Sequence, residues 1–423
     1  MLLGAVTPLE AGDFAYGLGY TATRSDNITR VPSDELRETI HSYLVGFSYL
    51  ELTPDIDATI AAQAEFRDYQ DDIFEDETVS NLKALLYWTI SPQRFIWVVE
   101  DAYEQTRINA AESDTPDNRA NVNVFSTGPD VYFRFNPVHT LALGARAGNV
   151  YTGQANTDND RFSGSLRWLY QATSITTYSL NYEALDVTYD DPALNSDFTS
   201  HDIFLRADYR PSRSQYTIDL GASRISPEQG EDLNESLFRL TWIRQLTTES
   251  TFGLSASGEY SDTAADILTS ATTTTPSTAL TSGEVRSDLF YAKRASLFYN
   301  RRGTRFGAGF SLYTQDLDYE TTPQDRREYG GRLTLGFFYS GTTTVTLTTE
   351  QNRAEFRDFV RHDTDRDSSI RLDYRLSRSV RLALEGRRTE RDSTSPADEF
   401  VDNRVSLSVL YSSSPLFTPV STR

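Results

Sequence analysis

Hydrophobic and polar residues alternate along most of this chain, and the stretch RLTLGFFYSGTTTVTLTTEQ, residues 332–351, shows the pattern clearly. Leu333, Leu335 and Phe337 share one face of an extended chain, while Arg, Thr and Gly lie between them. The alternation resumes after the Ser-Gly pair at 340–341. A period of two is that of a β-strand, so the stretch predicts two strands joined by a tight turn.

The same alternation recurs from one end of the chain to the other, and no helical period is sustained. Further examples are 13–20, 57–69, 94–103, 161–170, 177–184, 202–209, 215–223, 236–245, 251–260, 294–300, 305–313, 369–374, 380–386 and 403–411. We count about twenty strands in 423 residues. Eighteen is the alternative, because the boundaries near 13–48 and 356–370 are soft.

The connectors between these segments alternate between short and long. The short ones are 53–56, 91–93, 136–139, 210–214, 246–250, 301–304, 340–342 and 376–379. The long, polar ones include 25–38, 71–78, 112–118, 152–159, 225–234, 263–283, 318–326, 356–366 and 391–399. This order is typical of an antiparallel up-and-down sheet whose two rims face different compartments. A parallel β-helix would repeat one coil length, and a Greek-key sandwich would not alternate so regularly.

The polar face of the strands is small and charged, unlike the packed interior of a soluble sandwich or small barrel. A wide, water-filled barrel can line itself with charge, so we predict that these residues face a lumen and contact a solute. The candidates are Arg134, Arg146, Arg167, Arg206, Arg239, Arg294, Arg332, Arg371, Arg381, Glu385, Arg404, Tyr132 and Tyr313. Phe204 and Phe298 share their face. The arginines either guide an anionic or polyhydroxylated solute or offset nearby carboxylates, as in Arg381 with Glu385 or Arg206 with Asp208.

Aromatic residues lie beside the short turns on the apolar face, where a lipid–water interface would place them. These interface candidates are Phe95, Trp97, Trp168, Tyr170, Tyr209, Tyr216, Trp242, Tyr299, Tyr339 and Tyr374. The middle of the same face carries Leu, Val, Ile and Ala. A sheet that faces lipid must close, because no water satisfies an open edge. The prediction is therefore an all-β, single transmembrane antiparallel barrel in the bacterial outer membrane, with a tandem of soluble β-domains as the alternative.

We place the barrel at 13–411, an N-terminal tail or leader remnant at 1–12, and a C-terminal tail at 412–423. The first segment has apolar residues but no basic region, so a complete signal peptide is not recognisable. Outer-membrane barrels commonly end on an aromatic residue, a role that Tyr411 or Phe417 would serve here.

Composition excludes several functions. A net charge of −21 argues against nucleic acid as a partner, and the absence of cysteine excludes disulfides, thiolate metal sites and a cysteine nucleophile. None of the four histidines, His41, His139, His201 and His362, has the spacing of a catalytic triad or metal site. His139 is expected in a short turn and His362 in a long loop. We therefore predict no enzyme activity, no metal site and no cofactor.

Three acidic clusters are expected in long loops, at 71–77, 186–197 and 363–367. They would bind divalent cations that bridge lipopolysaccharide phosphates, or would be solvated loops. The low-complexity loop 263–283 would fold into the lumen as a constriction, reach outward as a receptor site, or be disordered.

Three segments carry a resemblance to a known family: TRSDNITR at 23–30, the stretch 121–151 that contains FSTGPD, and WIRQLTTESTFGLSASGEYSD at 242–262. They resemble the outer-membrane β-barrel porins associated with exopolysaccharide export and exosortase (PEP-CTERM) systems. That resemblance implies a wide outer-membrane barrel that passes polysaccharide, with periplasmic and inner-membrane export partners. It brings no catalytic residues.

The leading functional expectation is thus an outer-membrane channel for a secreted polysaccharide, in contact with outer-membrane lipid and lipopolysaccharide. A general diffusion porin for small solutes is the second hypothesis. A non-conducting scaffold or receptor that acts through its long loops is the third, and an enzyme within the barrel is the fourth.

Overall fold

The computed structural model describes residues 12–153, 157–191, 195–272, 289–320 and 323–414. These residues form twenty strands and one short α-helix. The strands are β1 Asp13–Ser25, β2 Glu38–Leu52, β3 Ile56–Tyr69, β4 Glu77–Ser91, β5 Phe95–Arg107, β6 Arg119–Arg134, β7 His139–Thr152, β8 Asn159–Thr173, β9 Thr176–Tyr189, β10 Phe198–Tyr209, β11 Ser214–Pro227, β12 Leu233–Thr247, β13 Ser250–Ser261, β14 Phe290–Arg302, β15 Phe306–Tyr319, β16 Arg326–Phe338, β17 Thr343–Phe356, β18 Arg361–Arg375, β19 Val380–Ser393 and β20 Phe400–Ser412. The helix, α1 Thr263–Thr272, lies between β13 and β14.

Every strand pairs antiparallel with its neighbours in sequence, and β1 pairs with β20 to close the sheet. The closing seam runs from the pair Gly17–Ser412 to the pair Ser25–Arg404. Closure satisfies the backbone groups that an open edge would expose to lipid. The predicted up-and-down barrel of twenty strands is confirmed, and the eighteen-strand alternative is wrong.

The connectors separate into two rims as predicted. Short turns at one rim, such as 92–94 and 248–249, alternate with longer loops at the other, which include 26–37, 108–118 and the segment that holds α1. The first and last strands have their free ends at the short-turn rim. The predicted tails, including Phe417, lie almost wholly outside the described residues.

One long loop is shorter than predicted, which corrects two assignments. The connection between β17 and β18 is only 357–360, so His362 and the acidic run 363–367 lie in β18 rather than in a loop. Where a strand extends beyond the membrane, neither of its faces has to be apolar. The residues of this part of β18 are charged or polar on both faces, so the hydrophobic alternation that identifies a strand in the sequence is missing. Likewise His139 begins β7 instead of lying in a turn, and residues 186–189 of the second acidic cluster belong to β9.

The apolar stripe of each strand faces outward. Ile203, Leu205 and Leu220 are 53%, 62% and 57% exposed, whereas Phe204 and Asp219 on the opposite face are 2% and 1% exposed. Large aliphatic side chains exposed around a closed sheet form the surface that hydrocarbon covers. Within the part of the chain that the structure describes, no helix is long and apolar enough to cross a membrane.

Candidate functional site: the barrel lumen

The strand register places all thirteen predicted lumen residues on the inner face. Cross-strand partners share a face, and the pairs Asp219–Arg239, Arg239–Ser257 and Ser257–Arg294 carry the inner face from one strand to the next. The same tracing around the barrel places Phe204 and Phe298 inside. Contact of these side chains with a solute stays a prediction.

Most of the inner arginines are bound to carboxylates. Arg206 forms a bidentate pair with Asp219, with both nitrogen–oxygen distances 2.7 Å. Arg239 bridges Asp219 at 3.6 Å and Glu259 at 2.5 Å. Both guanidinium groups lie over the ring of Phe204, at 5.5 and 5.4 Å from its centroid. This cluster fixes two arginines while about a third of each side chain remains exposed.

The same pairing continues around the wall, with partners that differ from two of those expected. Asp219 takes the place of Asp208 as the partner of Arg206, and Glu385 binds Arg371 at 3.0 Å rather than Arg381. The remaining contacts are Arg146–Asp130 at 3.0 Å, Arg167–Asp130 at 4.0 Å, Arg332–Glu350 at 3.9 Å, Arg371–Asp373 at 3.1 Å, Arg404–Asp402 at 2.6 Å and Arg134–Gln93 at 2.7 Å. The lumen is therefore lined by donors and acceptors in close alternation rather than by an unopposed basic ladder.

Helix α1 turns into the lumen and packs against the far wall. Ala264 and Ile267 are each 2% exposed and join a cluster with Val122 and Val124 of β6, and Leu268 packs against the same cluster. Their i, i+3, i+4 spacing puts one apolar stripe on the wall. Of the three arrangements expected for loop 263–283, its first ten residues adopt the one that folds into the lumen. Residues 273–283 lie outside the described residues.

Two buried aspartates join α1 to other strands. Asp262 accepts a hydrogen bond from the Ala265 backbone N–H at 2.8 Å, which caps the helix, and it pairs with Arg161 of β8 at 2.9 Å. Asp266 pairs with Arg294 of β14 through two bonds of 3.0 and 2.7 Å. The helix thus connects β14 to the wall that runs from β4 to β8.

Loop 108–118 also folds inward and is held mainly through its backbone. The side chain of Asn118 accepts from the Asn109 N–H at 2.9 Å and donates to the carbonyls of Asn109 and Ser113. The carbonyl of Ala111 accepts from Arg361 at 2.5 Å and from Arg391 at 3.3 Å. Since β18 and β19 carry those arginines, the loop reaches across part of the mouth.

Arg30, in loop 26–37, connects to the same structure. Its guanidinium donates to the backbone oxygen of Asp114 at 2.6 Å. Burial lowers the pKa of Arg30 to about 10, helped by Arg404 and opposed by Asp114. Burial would raise the pKa of Asp114, but Arg119 at 2.6 Å and Arg30 outweigh it and hold that pKa well below its usual value. The loop cluster is therefore charged and paired at neutral pH.

A cavity of about 800 Å³ lies between α1 and the wall from β6 to β14. Charged side chains of both signs and aromatic rings line it: Asp130, Arg146, Arg167, Glu183, Asp202, Arg239, Phe198 and Phe298. Glu183 and Asp202 are direct cross-strand partners, an arrangement of like charges that costs stability. Nε of Arg167 is buried without a hydrogen-bond partner. These groups leave the cavity wall with donors and acceptors to offer a polar solute.

The ten predicted interface aromatics all lie on the outer face. Tyr209, Tyr216, Trp242 and Phe252 form a continuous row beside the short turns, with neighbouring ring centroids 5.7, 5.8 and 5.4 Å apart. Trp168, Tyr170, Tyr339 and Tyr374 are strongly exposed. Phe95, Trp97 and Tyr299 share the outer face by register. Their contact with the lipid interface stays a prediction.

Three of the histidines and part of the third acidic cluster have side-chain partners in the barrel wall. His41 and His201 each hydrogen-bond to an outward tyrosine, Tyr20 and Tyr182, and His139 stacks on Tyr170. Asp363 and Asp365 of the third acidic cluster pair with arginines. Among the described residues, no group of three or more His, Asp or Glu is placed to hold a metal ion.

Sequence reasoning did not identify the residues that hold α1 and loop 108–118 inside the lumen: Asp262, Asp266, Arg161, Arg30, Asp114, Arg361 and Arg391. One signal was present, because Ala264, Ile267 and Leu268 have helical spacing within the low-complexity stretch. The contacts of loop 108–118 join residues 250 and 280 positions apart, which no local pattern reveals.

No family model matches the chain, and no curated protein is similar to it. Solved structures match nearly its full length. The FrpB iron transporter from Neisseria meningitidis has a TM-score of 0.50 at 11% identity, covering 95% of this chain and 82% of that one. A mutant of the ferric enterobactin receptor PfeA from Pseudomonas aeruginosa has a TM-score of 0.50 at 9% identity, covering 95% and 80%.

The match to OccK2 of Pseudomonas aeruginosa covers 98% of the OccK2 chain, with a TM-score of 0.40 and 9% identity. Identities this low establish the fold alone. The closed twenty-stranded sheet and its apolar exterior make this chain a β-barrel protein of the bacterial outer membrane.

Proposed function

We propose that the protein is an outer-membrane channel for a polar, polyhydroxylated solute, and that this solute is a secreted polysaccharide. The observation that carries the proposal is the cavity beside α1, whose wall alternates guanidinium and carboxylate groups. A sugar hydroxyl both donates and accepts hydrogen bonds, so such a wall can bind it at many equivalent positions.

The aromatic residues of the lumen support the same substrate class. Tyr132, Phe204, Phe298 and Tyr313 all lie on the inner face. Aromatic faces pack on the apolar faces of sugar rings, and they do so without demanding one sequence of hydroxyls. Transport would be passive: many weak contacts bind the polymer well enough to let it enter and weakly enough to let it leave.

Periplasmic export partners and contact with lipopolysaccharide belong to this proposal. The resemblance to the barrels of exopolysaccharide export systems favours these partners. The names of the matched solved structures do not mention polysaccharide. Their names concern iron transport and a ferric siderophore, and at 9–11% identity those substrates are not transferred to this chain.

The test is single-channel conductance in planar bilayers with neutral and acidic oligosaccharides of increasing length. We expect conductance that the sugars block in a length-dependent way, with Arg167→Gln weakening the block. Arg366→Gln, on the outer face and paired with Glu390 and Asp392, is the matched control.

Other outcomes identify the alternatives. Conductance that sugars do not affect would identify a general diffusion porin, and the charge balance of the lumen favours that as the second candidate. Absence of conductance would favour a scaffold or receptor. Deleting the gene and measuring secreted polymer, with Arg371→Glu and Arg381→Glu in the complemented strain, tests export in the cell.

A further inference from the structure

Helix α1 connects the β14 side of the lumen with the wall that contains β6 and β8 through its side chains. Its apolar stripe contacts β6, while Asp262 and Asp266 reach β8 and β14. A ten-residue helix extends about 15 Å, so α1 occupies part of the lumen.

The helix has little stability of its own. Its sequence, TAADILTSAT, contains four residues of Thr or Ser and no side-chain ion pair within the helix is available, because it carries one charge. An isolated helix of this length does not persist in water. Its position therefore depends on its docking contacts, and the two arginine pairs are the polar part of those contacts.

Those ion pairs are more than surface contacts. The side chains of Asp262 and Asp266 are 5% and 4% exposed, and those of Arg161 and Arg294 are 13% and 15% exposed. Asp266 also accepts from the Ser261 hydroxyl at 2.8 Å. Hydrogen bonds to charged, desolvated groups are stronger than those at a wet surface.

The helix also borders the cavity. Asp262, Ala265, Asp266 and Leu268 line it together with Arg161 and Arg294. Undocking of α1 would thus both widen the lumen and release two guanidinium groups toward the solute. At these two arginines, groups of the solute would replace the carboxylates that hold the helix.

We propose that α1 is a gate of the channel, closed by the pairs Asp262–Arg161 and Asp266–Arg294 and opened when a polyanionic or polyhydroxylated solute replaces the two aspartates. This proposal rests on the proposed channel function and adds its regulation. Loop 108–118 contributes a fixed part of the obstruction, since its backbone folds around Asn118 and it is bound by Arg30 and by the arginines of β18 and β19.

The experiment compares Asp262→Asn/Asp266→Asn with the parent barrel by two independent measurements. Hydrogen–deuterium exchange of the peptide that contains α1 reports docking whether or not the protein conducts. Bilayer conductance reports the open area. We expect exchange to speed up by about tenfold or more, from the loss of two charge-assisted pairs, together with a larger mean conductance.

The controls separate charge pairing from general damage. Asp232→Asn removes a carboxylate of an exposed pair with Arg224 and should leave both measurements unchanged. Asp266→Arg/Arg294→Asp restores the pair with reversed sign and should restore slow exchange and low conductance. Asp266→Arg alone should not.

The outcomes discriminate clearly. Unchanged exchange in the double variant overturns the ion-pair contribution to docking. Faster exchange with unchanged conductance in a conducting barrel overturns the gate but leaves the channel. No conductance in either protein overturns the channel and the gate together, while the exchange result still reports what holds α1.

Discussion

Helix α1 and loop 108–118 both turn into the lumen from the long-loop rim, and they are held there by different kinds of contact. Helix α1 is attached through the side chains of Asp262 and Asp266 and one apolar stripe. Loop 108–118 is attached through its own backbone, folded around Asn118 and bound at the Ala111 carbonyl. Groups of a solute can replace one partner of a side-chain ion pair, whereas they cannot replace the backbone hydrogen bonds of a folded loop one at a time. Under the gate proposal, the loop is therefore the fixed part of the obstruction and α1 the movable part.

The largest effect should come from removing the most deeply buried arginine that binds the loop. Arg391 is 4% exposed, pairs with Asp365 at 2.6 Å and donates to Ala111. Arg391→Met removes a buried charged donor from the Ala111 carbonyl and leaves the half-exposed Asp365 without this partner, so we expect docking to weaken by about 3 kcal/mol. Exchange of amides 109–118 would then be about a hundredfold faster. Arg366→Met at an exposed site is the control, and a change below tenfold in Arg391→Met would contradict the fixed attachment.

The second effect tests the internal fold of the loop. Asn118→Ala removes three hydrogen bonds from a side chain that is 5% exposed. We expect the loop to weaken by about 2 kcal/mol, seen as faster exchange in 109–118. Exchange in α1 should change little. If both segments loosened together, they would be one unit and the comparison would fail.

The third effect concerns one ion pair of the helix. Asp266→Asn keeps the shape of the side chain and weakens both bonds to Arg294, so α1 should exchange about tenfold faster. Loop 108–118 should keep its rates. A matching increase in the loop would show that the two segments share one docking equilibrium.

Acid should affect the loop through Asp114. Because its folded pKa lies below the ordinary 3.8, the ionised carboxylate stabilises the docked loop fully at neutral pH. That contribution is lost as the pH falls below 3.8 toward the folded pKa. Because the undocked carboxyl keeps the ordinary pKa of 3.8, we expect docking at pH 3 to be weaker by up to about sevenfold after correction for intrinsic exchange. Asp114→Asn should abolish this dependence, and its persistence would assign the effect to another group.

The smallest effect should come from Asp232→Asn. Its partner Arg224 and Asp232 itself are both exposed, and a surface pair contributes little. Neither inward segment touches them. We expect no measurable change in exchange at either segment or in the unfolding midpoint in urea. A clear change there would question every assignment made above from a single charge.

The barrel itself follows from local patterns in the sequence. Strands such as 202–209 and 215–223 alternate because one face meets lipid, and the pattern repeats in each hairpin. The lumen face was equally predictable, because parity alone assigns Arg206 and Arg239 inward. The partners were not: the sequence offered Asp208 for Arg206, while the register aligns Asp219 with it.

What the sequence did not reveal depends on contacts between distant segments. The run 363–367 resembles an acidic loop, yet in β18 each inward aspartate meets an arginine of its own or the next strand. The helix forms in a Thr-rich stretch of poor helical propensity because the wall and two arginines hold it. Such contacts become visible only when the barrel brings its walls together.

The β1–β20 seam sets a condition on biogenesis. The bond from the Tyr16 N–H to the Ser413 hydroxyl joins positions 397 residues apart, whereas each of the other strand pairs is a local hairpin. A nascent chain can zip hairpin by hairpin, but it remains an open ribbon with two unsatisfied margins until its last strand arrives. Truncation before Phe400 would therefore leave a sheet that cannot close. The resulting loss of stability would far exceed the share contributed by one strand among twenty.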